Sequence, residues 1–146
     1  MPDEQIEILL VEDNENDAEL TIRALKKNKI ANNITHLRNG VEAIDFLFGT
    51  GQFKGRDVNN RPQVVLLDLK MPKVGGIEVL KAIRSDQQTK TLPVVVLTSS
   101  KEDPDVRACY ELGVNSYIVK PVEFENFIKS VSELGLYWVL LNQHLK

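Results

Sequence analysis

A chain of 146 residues and 16.5 kDa, 42% hydrophobic and 27% charged, is long enough for one domain with a sizeable core and too short for two full-sized modules. This composition excludes a disordered tail, and no apolar stretch reaches the roughly 18 residues of a membrane span. The 18 Lys and Arg against 21 Asp and Glu leave a net charge of −3, which provides no electrostatic footprint for nucleic acid.

The elements follow in chain order. Ile6 to Val11 is a short aliphatic run ending at an acidic cluster, which predicts a strand covered on both faces. Ala18, Ile22 and Leu25 recur at helical spacing, with Asp17 and Glu19 early and Lys26, Lys27 and Lys29 late, as the helix dipole favours. Asn33 to Leu37 reads as a weaker strand and Val41 to Phe48 as a second helix. Gly49 through Pro62, rich in Gly and Asn, reads as a surface loop of more than usual length. Val64–Leu67 is a third strand stopping at Asp68, followed by a helix through Ile77, Leu80 and Ile83. Val94–Leu97 is a fourth strand stopping at Thr98, and Val106 to Leu112 is a helix closed by Gly113. Tyr117–Val119 is a fifth strand ending at Lys120-Pro121, and a long helix begins at about Phe124.

Strands alternating with helices predict a parallel sheet with helices on both faces, an α/β/α sandwich. The single cysteine, Cys109, lies in a helical stretch, reads as a small core residue and permits no intrachain disulfide. The N-terminus has no basic region ahead of its apolar run, so no signal peptide is expected and the location is expected to be cytoplasmic.

In open parallel sheets, ligands bind beyond the carboxyl ends of the strands. Those positions hold Glu12 and Asp13 after the first strand, Asp68 after the third, Thr98 after the fourth and Lys120 after the fifth. Polar residues are common where strands meet water, so any one of them alone says little; the set says more. Two carboxylates about 4 Å apart repel by roughly 4 kcal/mol at an effective dielectric near 20, so such a cluster calls for a cation or a raised pKa. Oxygen-rich, sulfur-free ligands suit Mg2+, which retains waters for phosphate oxygens. With a hydroxyl and an amine beside it, the site suits a phosphoryl group, and a carboxylate there can be the nucleophile.

Asp68-Leu69-Lys70-Met71-Pro72, with Gly76 beyond, resembles the phosphoacceptor segment of two-component response-regulator receiver domains. Glu12-Asp13, Thr98-Ser99 and Lys120-Pro121 fall where that family has its acidic pair, switch hydroxyl and lysine, with Thr98 and Lys120 lying 30 and 52 residues past Asp68. The resemblance covers about Ile6 to Lys129 and implies a flavodoxin-like fold with strand order 2-1-3-4-5, the order known for the chemotaxis receiver protein. It implies that Asp68 accepts phosphate from a histidine kinase, that Asp13 ligates Mg2+ and Glu12 holds it through water, and that the Lys70 carbonyl supplies a further ligand. Thr98 would move to the phosphoryl group, Lys120 would pair with it, the Tyr117 rotamer would follow Thr98, and the Lys120–Pro121 bond would be cis. The chain would be a phosphoacceptor with slow autophosphatase activity and not an enzyme otherwise. Gly75 stands where the family often has Asp or Asn, so the third helix is expected to lack a side-chain N-cap. Lys70 and Ser100 are predicted to set the lifetime of the phosphorylated state.

Other readings compete. An aspartate-nucleophile phosphatase usually has a second Asp two residues on, where this chain has Lys70; a flavodoxin-like cofactor carrier should have a Ser, Thr and Gly-rich first loop, where this one has Glu12-Asp13-Asn14-Glu15. Asp13 to Asp17 resembles a calcium loop, but Ala18 stands at the turn glycine's place. The Gly49–Gly55 stretch follows a helix instead of opening one, which rejects a dinucleotide loop. A phosphorylation-independent pseudo-receiver is the remaining alternative.

The last helix, extended to about residue 143, carries Phe124, Phe127, Val131, Leu134, Trp138, Leu141 and Leu145 in one stripe. Leu136, Tyr137, Val139 and Leu140 make its last turns apolar nearly all round, so a homodimer through this helix face, with Phe124, is expected. The long loop and the Leu136-to-Gln143 ending resemble small bacterial response regulators paired with phytochrome-type light-sensing kinases. A single receiver domain over 1–146 is expected, with no output domain, signalling through contact with a protein partner.

Overall fold

The computed structural model describes residues 8–27, 33–71, 73–100, 103–114 and 116–133. Ile6 and Glu7 of the predicted first strand, Lys29, Pro72, and residues 134–146 with Leu136, Tyr137, Val139 and Leu140 of the expected interface lie outside them.

Five strands, β1 (Ile8–Val11), β2 (Ile34–Leu37), β3 (Val64–Asp68), β4 (Val94–Thr98) and β5 (Ser116–Val119), alternate with five helices. The helices are α1 (Glu15–Lys27), α2 (Gly40–Phe48), α3 (Gly76–Ser85), α4 (Pro104–Glu111) and α5 (Phe124–Glu133). All pairings are parallel and the order is β2-β1-β3-β4-β5, as expected of the flavodoxin-like α/β fold.

The aliphatic runs of β1, β3 and β4 are buried throughout because each face has its own helices. Leu9, Val11, Val65, Leu67, Val94 and Val96 point to one side and pack with Phe46, Val79, Ile83 and Cys109 from α2, α3 and α4. Ile8, Leu10, Val64, Leu66, Val95 and Leu97 alternate with them and meet Ala18, Leu25 and Phe127 from α1 and α5. Cys109 is fully buried in the first cluster, the core role its position predicted.

Local differences from the sequence reading have local causes. The fourth helix starts at Pro104 rather than Val106: Asp103 caps it, accepting from the Asp105 N–H at 2.8 Å, and Pro104 needs no N–H partner in the first turn. Asp68 and Thr98 are the last residues of their strands, not the first beyond them, since each still has a sheet partner. The 49–62 loop is fastened to the domain. Its short 3-10 turn (Gly51–Phe53) sets Phe53 edge-on to Phe46 at 5.2 Å, and the Arg56 guanidinium lies 3.9 Å over the Phe46 ring. Arg56 also donates to the carbonyls of Phe46 (2.7 Å) and Asn60 (3.0 Å).

Candidate phosphoacceptor site

Sheet register assembles the site. Val11 pairs with Leu67, so the next residues, Glu12 and Asp68, emerge side by side. Asp68 pairs with Leu97, which brings Thr98 one step further along β4, and Thr98 pairs with Val119, which delivers Lys120 at the end of β5. Residues far apart in sequence thus share one sheet edge, because parallel strands in register end together.

Glu12 is fully buried, Asp68 is 2% exposed and Asp13 is exposed. One carboxylate oxygen of each lies within 4.8 Å of the others. The Lys120 ammonium faces this cluster, 3.1 Å from Glu12 and 3.5 Å from Asp68. Burial pushes the Asp68 carboxyl up to about 8, the hydrogen bond and charge of Glu12 push the same way, and Lys120 offsets them only in part. Burial alone would lower the Lys120 pKa, but its hydrogen bond to Asp17 and the charges of Asp68 and Glu12 outweigh that and hold it above the ordinary lysine range. One ammonium therefore leaves the cluster short of positive charge. Three converging oxygen donors with a charge deficit fit a hard divalent cation, which Glu12, Asp13 and Asp68 could hold.

Glu12 is fixed from several directions. Its N–H donates to the Leu37 carbonyl at 3.0 Å, and its own carbonyl lies 2.8 Å from His36 Nε2. A carbonyl only accepts, so that ring nitrogen carries the proton. The Glu12 carboxylate accepts from the Asn14 N–H at 3.1 Å and from Lys120. A groove of about 740 Å³ between α1 and β2 is lined by His36 and Arg38 but lies off the acidic cluster. An ion and a phosphoryl group need convergent charges more than a deep cavity.

Thr98 is buried, and its hydroxyl donates to the Ser100 carbonyl of its own loop at 3.0 Å. Tyr117 is half-buried, edge-on to Tyr110 with ring centroids 6.3 Å apart. The Lys120–Pro121 bond is cis. The Lys70 N–H donates to Asp68 Oδ1 at 3.3 Å, while its side chain turns outward to Asp105 (3.1 Å) and Asp103 (3.8 Å) at the start of α4. Gly75 precedes α3 with no side-chain cap bond, as its identity predicted. Phe124 opens α5 and is half-buried against the core.

Sequence reasoning missed two contributors. Asp17, read only as a dipole-compensating residue of α1, places Oδ2 3.0 Å from the Lys120 ammonium. Its signal was its place one turn beyond Asp13, on the first turn of a helix that starts at the site's edge. His36, on a strand read as merely weak, had no signal in sequence; only register brings it to Glu12.

The family described as "Response regulator receiver domain" matches residues 8–132. Among curated relatives, the probable methanogenesis regulatory protein FilR2 of Methanothrix harundinacea is 43% identical, covering 93% of this chain and 85% of its own length. Response regulator Rcp1 of Synechocystis sp. is 39% identical over 90% of this chain and 88% of its length, and its Mn2+-bound structure superposes with a TM-score of 0.72, covering 90% and 93% of the two chains. The structure of the bacteriophytochrome response regulator AtBRR is 49% identical with a TM-score of 0.84, covering 93% of this chain and 96% of that one.

Proposed function

The chain belongs to the response regulator receiver family, and from that premise we propose that it accepts a phosphoryl group on Asp68 from a histidine kinase. The observation that carries this reading is the buried Asp68 carboxylate at the end of β3, facing both an acidic cluster and the Lys120 ammonium. A carboxylate oxygen of Asp68 attacks phosphorus, the P–N bond of the phosphohistidine breaks, and the electron pair and a proton go to the departing imidazole. Lys120 then pairs with a phosphoryl oxygen. The Thr98 hydroxyl gives up the Ser100 carbonyl to donate to another, and Tyr117 shifts with it. A divalent cation, Mg2+ in our reading, would be held by Glu12, Asp13, Asp68 and the Lys70 carbonyl and would supply charge neutralisation for the phosphoryl oxygens. Hydrolysis of the acyl phosphate by water returns the carboxylate, and Lys70 and Ser100, which flank the site, set its rate. The reading is supported by the Mn2+-bound structure described for Rcp1 and by the phosphorylated structure described for the response regulator RcpA.

The kinase is a phytochrome-type photoreceptor kinase, a reading supported by the names of AtBRR and RtBRR, each 49% identical to this chain. The output is a protein contact in the cytoplasm, with homodimerisation through the C-terminal helix. Incubation with a small-molecule phosphodonor and Mg2+ is expected to add one phosphoryl group by intact mass, and Asp68→Asn is expected to lose it. An unmodified wild-type chain would overturn the assignment. Phosphotransfer profiling against a panel of histidine kinases tests the partner. Sedimentation with and without phosphodonor tests the dimer, and a monomer in both would refute it.

A further inference from the structure

Lys120 has three carboxylate neighbours, and the closest belongs to neither the metal cluster nor the acceptor. Its ammonium lies 3.0 Å from Asp17, 3.1 Å from Glu12 and 3.5 Å from Asp68. Asp17 is well placed to hold it. The Asp17 N–H donates to Asn14 Oδ1 at 2.9 Å and its carbonyl accepts from the Thr21 hydroxyl at 2.8 Å, so its backbone is fixed on the first turn of α1. The Lys120 side chain is only 16% exposed, which limits solvent competition for the pair. Asp17 lies outside the Glu12, Asp13 and Asp68 donor set, so replacing it removes no ligand atom from that set.

We propose that Asp17 is a positioning residue that draws the Lys120 ammonium toward α1 and thereby weakens the site's grip on a phosphoryl group at Asp68. Asp17 and a phosphoryl group compete for one cation. A phosphoryl group on Asp68 gains Lys120 only as far as Asp17 releases it, so Asp17 sets part of the free energy of the phosphorylated state. This inference rests on the Asp68 reading and adds a residue that tunes it.

The test uses the full chain with beryllofluoride as the phosphoryl mimic in saturating Mg2+, followed by calorimetry or NMR. Asp17→Asn, nearly isosteric, is expected to bind beryllofluoride roughly fivefold more tightly, the scale of one partly exposed ion pair. A parallel Mg2+ titration, which also reports folding, is expected to shift by less than about twofold, because Asp17 is not a donor to the cluster. In a Lys120→Met background the Asp17→Asn gain is expected to vanish. Unchanged or weaker beryllofluoride binding overturns the proposal. So does an equal gain without Lys120, which would mean that Asp17 acts by its field alone. A wild-type chain that binds Mg2+ but not beryllofluoride would bring down the Asp68 reading and this inference with it.

Discussion

At Gly76 the backbone of α3 packs directly against the end of β3, and replacing it tests how tightly Asp68 is set. A Cβ at residue 76 would lie 2.5 Å from the Asp68 carbonyl oxygen and 2.9 Å from Leu69 Cα. Both are backbone atoms, so no rotamer change relieves the clash, and the helix start must move away from β3. Overpacking costs about 1–3 kcal/mol, and two backbone contacts under 3.0 Å that no rotamer relieves put this case at about 2–3 kcal/mol. Alanine returns up to about 1 kcal/mol of helix propensity, which leaves a net loss of about 1–2 kcal/mol. For a domain of this size that is a fall in melting temperature of roughly 2–8 °C. Gly75→Ala is the control. Its Cβ would be tight only against the Glu78 carboxylate oxygen at 3.1 Å, the end of a flexible side chain, with the Leu69 and Met71 carbonyls at ordinary contact distances of 3.8 and 3.9 Å, so its stability is expected to stay within about 0.5 kcal/mol of wild type. Thermal and urea unfolding of both variants measure the difference, and Gly76→Ala is also expected to take phosphate from a small donor more slowly. A Gly76→Ala protein that melts at or above wild type would refute the close-approach argument.

Three further outcomes follow from the same contacts. Arg56→Ala removes two hydrogen bonds and a cation–π contact from the 49–62 loop; it is expected to cost about 1–3 kcal/mol and to speed limited proteolysis within the loop. Burial, helped by the charges of Asp105 and Asp103, pushes the Cys109 thiol from about 9 to about 11. Below pH 9 both states keep the proton; above it the unfolded chain loses it first, so stability falls as pH rises toward 11, a slope that Cys109→Ala should lack in urea unfolding. His36→Phe removes the donor to the Glu12 carbonyl and is expected to weaken Mn2+ binding several-fold in an EPR titration, with His36→Gln recovering part of it.

The fold was legible because its strongest signals are local. Val64–Leu67 and Val94–Leu97 are aliphatic on every residue, which only a strand covered on both faces explains, and each is bounded by a polar residue at the sheet edge. The helices announce themselves by charge order and spacing, as Asp17 and Lys26 do at the two ends of α1. The loop was less legible. Its glycines and asparagines mark irregular backbone, but nothing in the sequence says that Arg56 reaches back ten residues to the Phe46 carbonyl.

The same division runs through the site. Glu12, Asp13, Asp68, Thr98 and Lys120 could be gathered from sequence because each ends a strand or lies within two residues of its end, and parallel strands in register end at one edge. What they do to one another was not in that pattern. The family resemblance implies that Lys120 pairs with a phosphoryl group at Asp68, yet its ammonium lies nearer to Asp17 and Glu12, while the Thr98 hydroxyl donates to the Ser100 carbonyl. Strand ends fix which residues meet; side-chain hydrogen bonds decide which of them are already engaged with one another. On the proposed phosphoacceptor reading, the switch would then lie as much in contacts to be broken, those of Lys120 with α1 and of Thr98 with its own loop, as in the contacts to be made.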